Sequence, residues 1–380
     1  MAVEKEKIEL HKGLKGLTNL VQAHDLCTFC GACMNLCPYI QHHRGRWIKL
    51  NDCDLPEGRC YKYCPRTEVD PAEIHQKIFG RPLEDIEIGY MQESLMAQAT
   101  DTELQGTGQN GGVVSAIMDF CLSENLIDAA LLTSRDDQQL PEGRMTRSRE
   151  EILSCSGSSY IVSPTLSELN KIKWQEIKRV GVVGLPCQAL ALAKMRAANS
   201  ENRNYVDRVN LVIGLFCTWA LDYSVFTESI RAKAGAHTIR KLDITPPPER
   251  LLKVFTDNGV LDIPIDEIRS FIRPGCEVCL DMTAEFADIS VGTVEGVERW
   301  NTVLLRTDRG IKIFNMAKRA GVITTKPLPA ETLKHLRKAS ILKKYRALNA
   351  LGQRGHLQGK YLKLSPELIR KIVSKAREAL

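Results

Sequence analysis

Seven cysteines fall within residues 27–66, "CTFCGACMNLCPYIQHHRGRWIKLNDCDLPEGRCYKYCPR", of a 380-residue chain that holds thirteen. Thiolates at this density bind soft metals or one another. Cys27, Cys30, Cys33 and Cys37 form C-x2-C-x2-C-x3-C, followed by Pro38. In runs of this spacing the first three thiolates hold one iron–sulfur cube, and the fourth belongs to a second cluster. A partner run is then required downstream, and it is present in reduced form. Cys60, Cys64 and Pro65 repeat C-x3-C-P, but Glu57 and Asp54 stand three and six residues before Cys60, and Cys53 lies one residue off that register. Exchange of ligands gives a four-thiolate set, Cys27, Cys30, Cys33 and Cys64, suited to [4Fe-4S], and a three-thiolate set, Cys37, Cys53 and Cys60. Three thiolates suit either [3Fe-4S] or a [4Fe-4S] cube with an oxygen ligand from Asp54 or Glu57. Zinc also takes four thiolates, but usually from two separated C-x2-C knuckles, and this row fits a single tetrahedron poorly.

Four further cysteines complete another set. Cys187 follows Leu185-Pro186 at a strand end, Cys217 ends "LVIGLFC", and "RPGCEVCLD" supplies Cys276 and Cys279. A lone strand-end cysteine reads as a small buried hydrophobe; two of them beside a C-x2-C make four thiolates. Cys121 and Cys155 have no such company, and Cys121 ends an apolar helical pattern as a core residue would.

The N-terminus, "MAVEKEKIELHKGLKGL", lacks an apolar core of signal-peptide length, and no stretch approaches the ~18 apolar residues of a membrane span. The chain reads as cytoplasmic, where thiols stay reduced and clustered cysteines hold metal. Length suggests roughly two or three domains. The elements that must position the thiols are legible from periodicity. "RVGVVG" and "VNLVIGLF" read as buried strands and "GGVVSAIMDFCLSENLI" as a helix, an α/β alternation. Helices are expected over 310–320 and 329–348 and after Ser365-Pro366, a helix-start signal. Expected boundaries are a helical extension over 1–24, a cysteine-rich segment over 25–80, an α/β domain over 85–320 and a basic helical segment over 321–380. Residues 331–380 carry 13 Lys/Arg against 3 Asp/Glu. This places a basic docking surface there, and a docking tail predicts that truncation after Ala330 spares every cofactor. No aromatic stacking pattern suggests nucleic acid.

The ordered motifs "GTGQNGGVVSAIMDF", "RSREEILSCSGSSYIVSP", "VGLPCQALAL", "IGLFC", "RPGCEVCLDMTAEFADISVG" and "WNTVLLRTDRG" resemble the beta subunits of hydrogenases and formate dehydrogenases that use coenzyme F420. The likeness runs from about residue 25 to 320. It implies an N-terminal dicluster ferredoxin-like domain, an α/β flavin-binding domain with an additional [4Fe-4S] cluster on Cys187, Cys217, Cys276 and Cys279, and a helical C-terminus, an α+β or α/β protein. The C-x6-C-x3-C-P spacing resembles the three-iron half of seven-iron ferredoxins. The implied cofactors are two [4Fe-4S] clusters, a third cluster of either kind and FAD, with coenzyme F420 as substrate.

For the flavin, "QGTGQNGGVVSA" packs Gly106, Gly108, Gly111 and Gly112 before an apolar helix, whose N-terminus can meet a pyrophosphate. Gln109 and Asn110 lie within the same turn, and the resemblance adds Ser156, Gly157, Ser158 and Tyr160. No catalytic acid or base is expected. The implied role is an electron-transfer oxidoreductase subunit joining a two-electron carrier to the catalytic subunit of a formate dehydrogenase or hydrogenase. Ferredoxin and heterodisulfide-reductase-like subunits are further partners. The alternative is an iron–sulfur wire of a bacterial complex without coenzyme F420. Where relatives carry a Gly-Ser-Pro/Ala-rich turn after "ADISVG", this chain reads "TVEGVERW", which favours a different donor if that turn borders the flavin.

Overall fold

The computed structural model describes residues 11–136, 139–171, 176–198, 206–235, 237–245, 249–355 and 361–380. The strands are β1 Ile40–His43, β2 Arg46–Lys49, β3 Glu93–Ala99, β4 Ala129–Arg135, β5 Pro141–Thr146, β6 Val180–Gly184, β7 Val209–Leu215, β8 Ile239–Ile244, β9 Leu251–Thr256, β10 Gly259–Pro264, β11 Ile289–Thr293, β12 Asn301–Leu305 and β13 Ile323–Pro327. Eight of them form one mixed sheet in the order β13-β3-β12-β11-β7-β6-β4-β5. Its middle pairs, from β11 through β7 and β6 to β4, are parallel. Its flanking pairs are antiparallel. β6, "VGVVG", is buried at every position, as a strand covered on both faces must be.

Alternation along the strands divides the core in two. Ala129, Leu131, Val180 and Val182 turn to one face, beneath the helix Pro186–Ala197 and beside Leu26, Phe29, Met34 and Tyr63 of the cysteine-rich segment. Ala130, Leu132 and Val183 turn to the other, beneath the helices Val113–Ser123 and Asp308–Arg319. The cysteine-rich segment therefore shares the core of the sheet. Its one two-stranded ribbon, β1 with β2, buries too little to stand alone.

Local signals fix several ends. Asp70 caps the helix Pro71–Phe79, accepting from the Ala72 and Glu73 N–H groups at 3.0 Å each. Ser365 Oγ caps Pro366–Ala379 through the Leu368 N–H at 3.1 Å. Leu14–Gln22 is helical, while residues 1–10 of the expected extension lie outside the described residues. The antiparallel sheet β8-β9-β10, with its own small core around Phe226, Leu242 and Val254, was not anticipated from periodicity.

The C-terminal helices, Ala330–Gln353 and Pro366–Ala379, pack on each other and on Ile86. Part of the basic charge of this segment is paired within the fold, and Lys343 and Lys344 are buried. Arg337 meets Asp85 and Glu87 at 2.8 Å each, Lys375 meets Glu87 at 3.3 Å, and Arg354 and Lys344 pair with Glu277 and Glu285.

Candidate functional site

The loop from Cys27 to Cys37 turns through left-handed backbone at Phe29 (φ 59°), Gly31 (φ 90°) and Asn35 (φ 59°). Gly31 is required, because a Cβ there would overlap the Pro164 carbonyl. The loop is held from outside: the Leu166 N–H donates to Cys30 O at 3.3 Å, and Asn170 Nδ2 donates to Ala32 O and Met34 O at 3.2 and 2.8 Å. On the other side, Lys194 Nζ donates to Cys64 O at 2.7 Å and to Thr67 O. Burial holds the Lys194 ammonium down at about 8, against Cys64 and Glu68, which raise it.

The thiols fall into neighbourhoods visible in their electrostatics. Cys30 is pushed up to about 12, by burial first and then by Cys64 and Cys27. Cys33 is pushed well above its ordinary value by burial, then by Cys64, Cys30 and Cys27. Cys60 is pushed up to about 11 by burial, with Cys37 and Cys53 the thiols acting on it. Cys217 is raised by burial, with Cys276, Cys187 and Cys279 adding and Lys343 opposing. Cys187 is raised by burial, then by Cys30 and Cys279, against Arg66. Burial also raises Cys279, but Lys343 and Arg66 outweigh it and leave the thiol below its ordinary value. All thirteen cysteines are free thiols. Among the described residues, no group of three or more His, Cys, Asp or Glu side chains is arranged to hold a single metal ion.

Gly108 to Gly112 link the helices Thr102–Thr107 and Val113–Ser123. Gly112 stands at φ 69° as N-cap of the second, whose first turn carries no acidic residue and whose Val113 N–H donates to Asn301 Oδ1 at 3.5 Å. The segment Ser156–Tyr160 lies against this turn. Ser156 Oγ is 3.1 Å from Ser115 Oγ, Gln109 Nε2 donates to Tyr160 Oη at 3.3 Å and also to Asp243, and the Ile244 N–H donates to Tyr160 Oη at 3.1 Å. The structure thus brings together the two candidate flavin loops, Gly108–Gly112 with Gln109 and Asn110 inside it, and Ser156–Tyr160. The "TVEGVERW" turn borders the first of them: Arg299 donates to Gln105 Oε1 at 2.5 Å, and a Cβ on Gly111 would lie 3.1 Å from Arg299 O.

Several neighbours of these sites carried no sequence signal. Arg135 donates to Ser158 O and Ser156 O at 2.8 and 3.0 Å. Lys343 donates to Cys217 O and Asp281 O at 2.7 and 2.6 Å. Arg66 was visible only as the residue after Cys64-Pro65, and Lys343 only as one charge in the basic segment.

Two stretches of the chain match the family described as "Coenzyme F420 hydrogenase/dehydrogenase, beta subunit": residues 94–170 match its N-terminal part and residues 177–331 its C-terminal part. Cys27 to Cys64 lie outside both matches. The chain is 32% identical to the beta subunit of the coenzyme F420 hydrogenase of Methanosarcina barkeri, over 65% of this chain and 85% of that protein. It is 30% identical to a subunit of the F(420)H(2) dehydrogenase of Methanosarcina mazei, over 80% of this chain and 86% of that protein. A chain of the F420-reducing [NiFe] hydrogenase complex from Methanosarcina barkeri superposes with a TM-score of 0.67 at 29% identity, covering 74% of this chain and 98% of that one. No described helix is long and apolar enough to cross a membrane. These relatives are subunits of oxidoreductases that use coenzyme F420, and the chain belongs to the family of coenzyme F420 hydrogenase/dehydrogenase beta subunits.

Proposed function

We propose that the chain is an electron-transfer subunit that joins a two-electron carrier, coenzyme F420 or a similar donor, to the catalytic subunit of a hydrogenase or formate dehydrogenase through FAD and three iron–sulfur centres. The observation that carries this reading is the grouping of eleven thiols into three neighbourhoods, two of which touch electrostatically through Cys30 and Cys187. Buried thiols that repel one another are costly as thiolates, and a bound cationic centre relieves that cost. The donors therefore fit iron–sulfur clusters: Cys27, Cys30, Cys33 and Cys64 for one [4Fe-4S], Cys187, Cys217, Cys276 and Cys279 for another, and Cys37, Cys53 and Cys60 for a [3Fe-4S] or [4Fe-4S] centre. When bound, FAD exchanges a hydride with a two-electron carrier and single electrons with clusters.

The chain's own contribution is binding, orientation and charge. At the start of Val113–Ser123 the Val113 N–H meets Asn301 Oδ1 at 3.5 Å, and the N–H groups that follow it are offered to a pyrophosphate, while Arg135 sets a cation beside Ser156 and Ser158. Lys194, Lys343 and Arg66 set positive charge against the thiol sets. Cys30 acts electrostatically on Cys187, which supports an order in which the sets on Cys64 and on Cys187 are adjacent and the set on Cys37, Cys53 and Cys60 stands at the end toward a partner.

A second reading, a relay chain whose donor is not coenzyme F420, is favoured by the Arg299 turn standing beside Gly111. The deciding experiment is joint iron, sulfide and flavin analysis of anaerobically purified protein, together with Cys64→Ser. About eleven or twelve iron atoms are expected, with Cys64→Ser disturbing the signal of the centre on Cys27, Cys30 and Cys33. An iron content near four would sink the N-terminal assignment; iron without flavin would leave only a wire.

A further inference from the structure

We propose that Arg66 is a positioning residue that raises the reduction potential of the centre on Cys187, Cys217, Cys276 and Cys279 and ties that centre to the one completed by Cys64. The inference rests on the relay reading above. Arg66 follows Cys64-Pro65 and is 2% exposed. Its Nη1 donates to Pro65 O at 3.1 Å, within its own segment, and its Nη2 reaches across the fold to Gly275 O at 3.0 Å, one residue before Cys276. The Tyr361 ring covers the guanidinium at 5.2 Å from ring centroid to Cζ. The side chain thus joins the cysteine-rich segment, the C-x2-C loop and the C-terminal segment at one point. An apolar cavity borders that point, with Arg66, Cys187, Cys279 and Tyr361 in its wall.

Two features separate this from a packing contact. The buried Nε–H has no hydrogen-bond partner, and an orphaned donor beside thiols is what the sulfur of a bound cluster would satisfy. The charge also lacks the usual compensation. Among the described residues no carboxylate pairs with the guanidinium; its partners include the Pro65 and Gly275 carbonyls and the Tyr361 ring. A buried cation without a counter-charge is strongly unfavourable, whereas one beside an iron–sulfur core that its four thiolate ligands make net anionic is favourable. One-electron reduction adds one negative charge to that centre. A fixed guanidinium nearby stabilises the reduced form more than the oxidised form, so the potential rises.

The test is potentiometric titration with dithionite of the full-length chain, purified anaerobically as wild type, Arg66→Met and Arg66→Lys, following the paramagnetic signal of each centre and measuring iron. In Arg66→Met, reduction of the domain centre should become at least tenfold less favourable, about 59 mV for one electron, while the centre on Cys37, Cys53 and Cys60 stays in place. Arg66→Lys should recover most of the shift. An unmoved domain centre in Arg66→Met, or an equal shift of every centre, overturns the proposal. Loss of domain iron in Arg66→Met with retention in Arg66→Lys upholds the charge role; loss in both marks a packing residue and overturns it. A wild-type chain without iron would instead sink the relay reading, and this inference with it.

Discussion

Lys343 and Lys344 are neighbours in sequence and both buried, yet they meet different partners. Lys343 donates to two carbonyls and faces Cys279 and Cys217. Lys344 pairs with Glu285. The Glu285 carboxyl is pushed up to about 7 by burial, with Lys344 opposing and Asp281 adding. Its folded value is thus raised above the ordinary 4.5. The sign follows from linkage: between these values the folded chain binds the proton more tightly than the unfolded chain does. The stability this group contributes is complete below 4.5 and is lost as pH rises through about 7. Urea midpoints measured anaerobically across that window should fall with pH in the wild type and flatten in Glu285→Gln. Equal slopes in both chains would remove Glu285 as the cause.

At the scale of elements, the helix Ala330–Gln353 is the one whose role changes most between sequence and structure. Its Ser340, Ile341, Lys343, Lys344, Ala347, Leu348 and Leu351 are buried. Truncation after Ala330 removes the Lys343 charge from the Cys217 and Cys279 thiols, the partner of Glu285, and the Tyr361 ring over Arg66. Buried groups left without partners destabilise their surroundings. The truncated chain is therefore expected to lose about four iron atoms, one cluster's worth, in place of the unchanged content predicted for a docking tail. Iron per chain decides it: a full complement after truncation would return this segment to the role of a tail. Exposed charges such as Lys334 and Lys371 remain to face a partner.

For the whole molecule, the proposed function turns on which carrier feeds the Gly108–Gly112 turn, where Arg299 O lies against Gly111 and Ser156 meets Ser115 of the helix that follows. Family membership favours a deazaflavin, and the Arg299 turn is where this chain departs from the pattern. Purified protein should reduce an artificial one-electron acceptor faster with reduced coenzyme F420 than with NADH, in a direct comparison of initial rates. Failure with both, while bound flavin is still reduced by dithionite, would favour a chain that receives its electrons from its protein partner.

The cysteine spacing was legible because ligand type and interval are properties of a short stretch of chain. So were β6 and β7, whose short, largely apolar runs point to burial, and the start of Pro366–Ala379, where Ser365 accepts from the Leu368 N–H and Pro366 fits the first helical position. The sheet β8-β9-β10 was harder to see because its outer strands bury one residue each and leave weak alternation; "IRKLDI" in β8 buries only Leu242, and "GVLDIP" in β10 only Ile263. The Gly108–Gly112 turn was legible as a turn, but not its pairing with Ser156–Tyr160, which rests on contacts between residues some fifty positions apart. Sequence by itself determined the donor types, the α/β alternation and the family. Only the tertiary structure decided which cations face the thiols. Arg66 reaches Gly275 across 209 residues and Lys343 reaches Cys217 across 126; long-range partners of buried charges are set by packing, and neither pattern nor propensity records them.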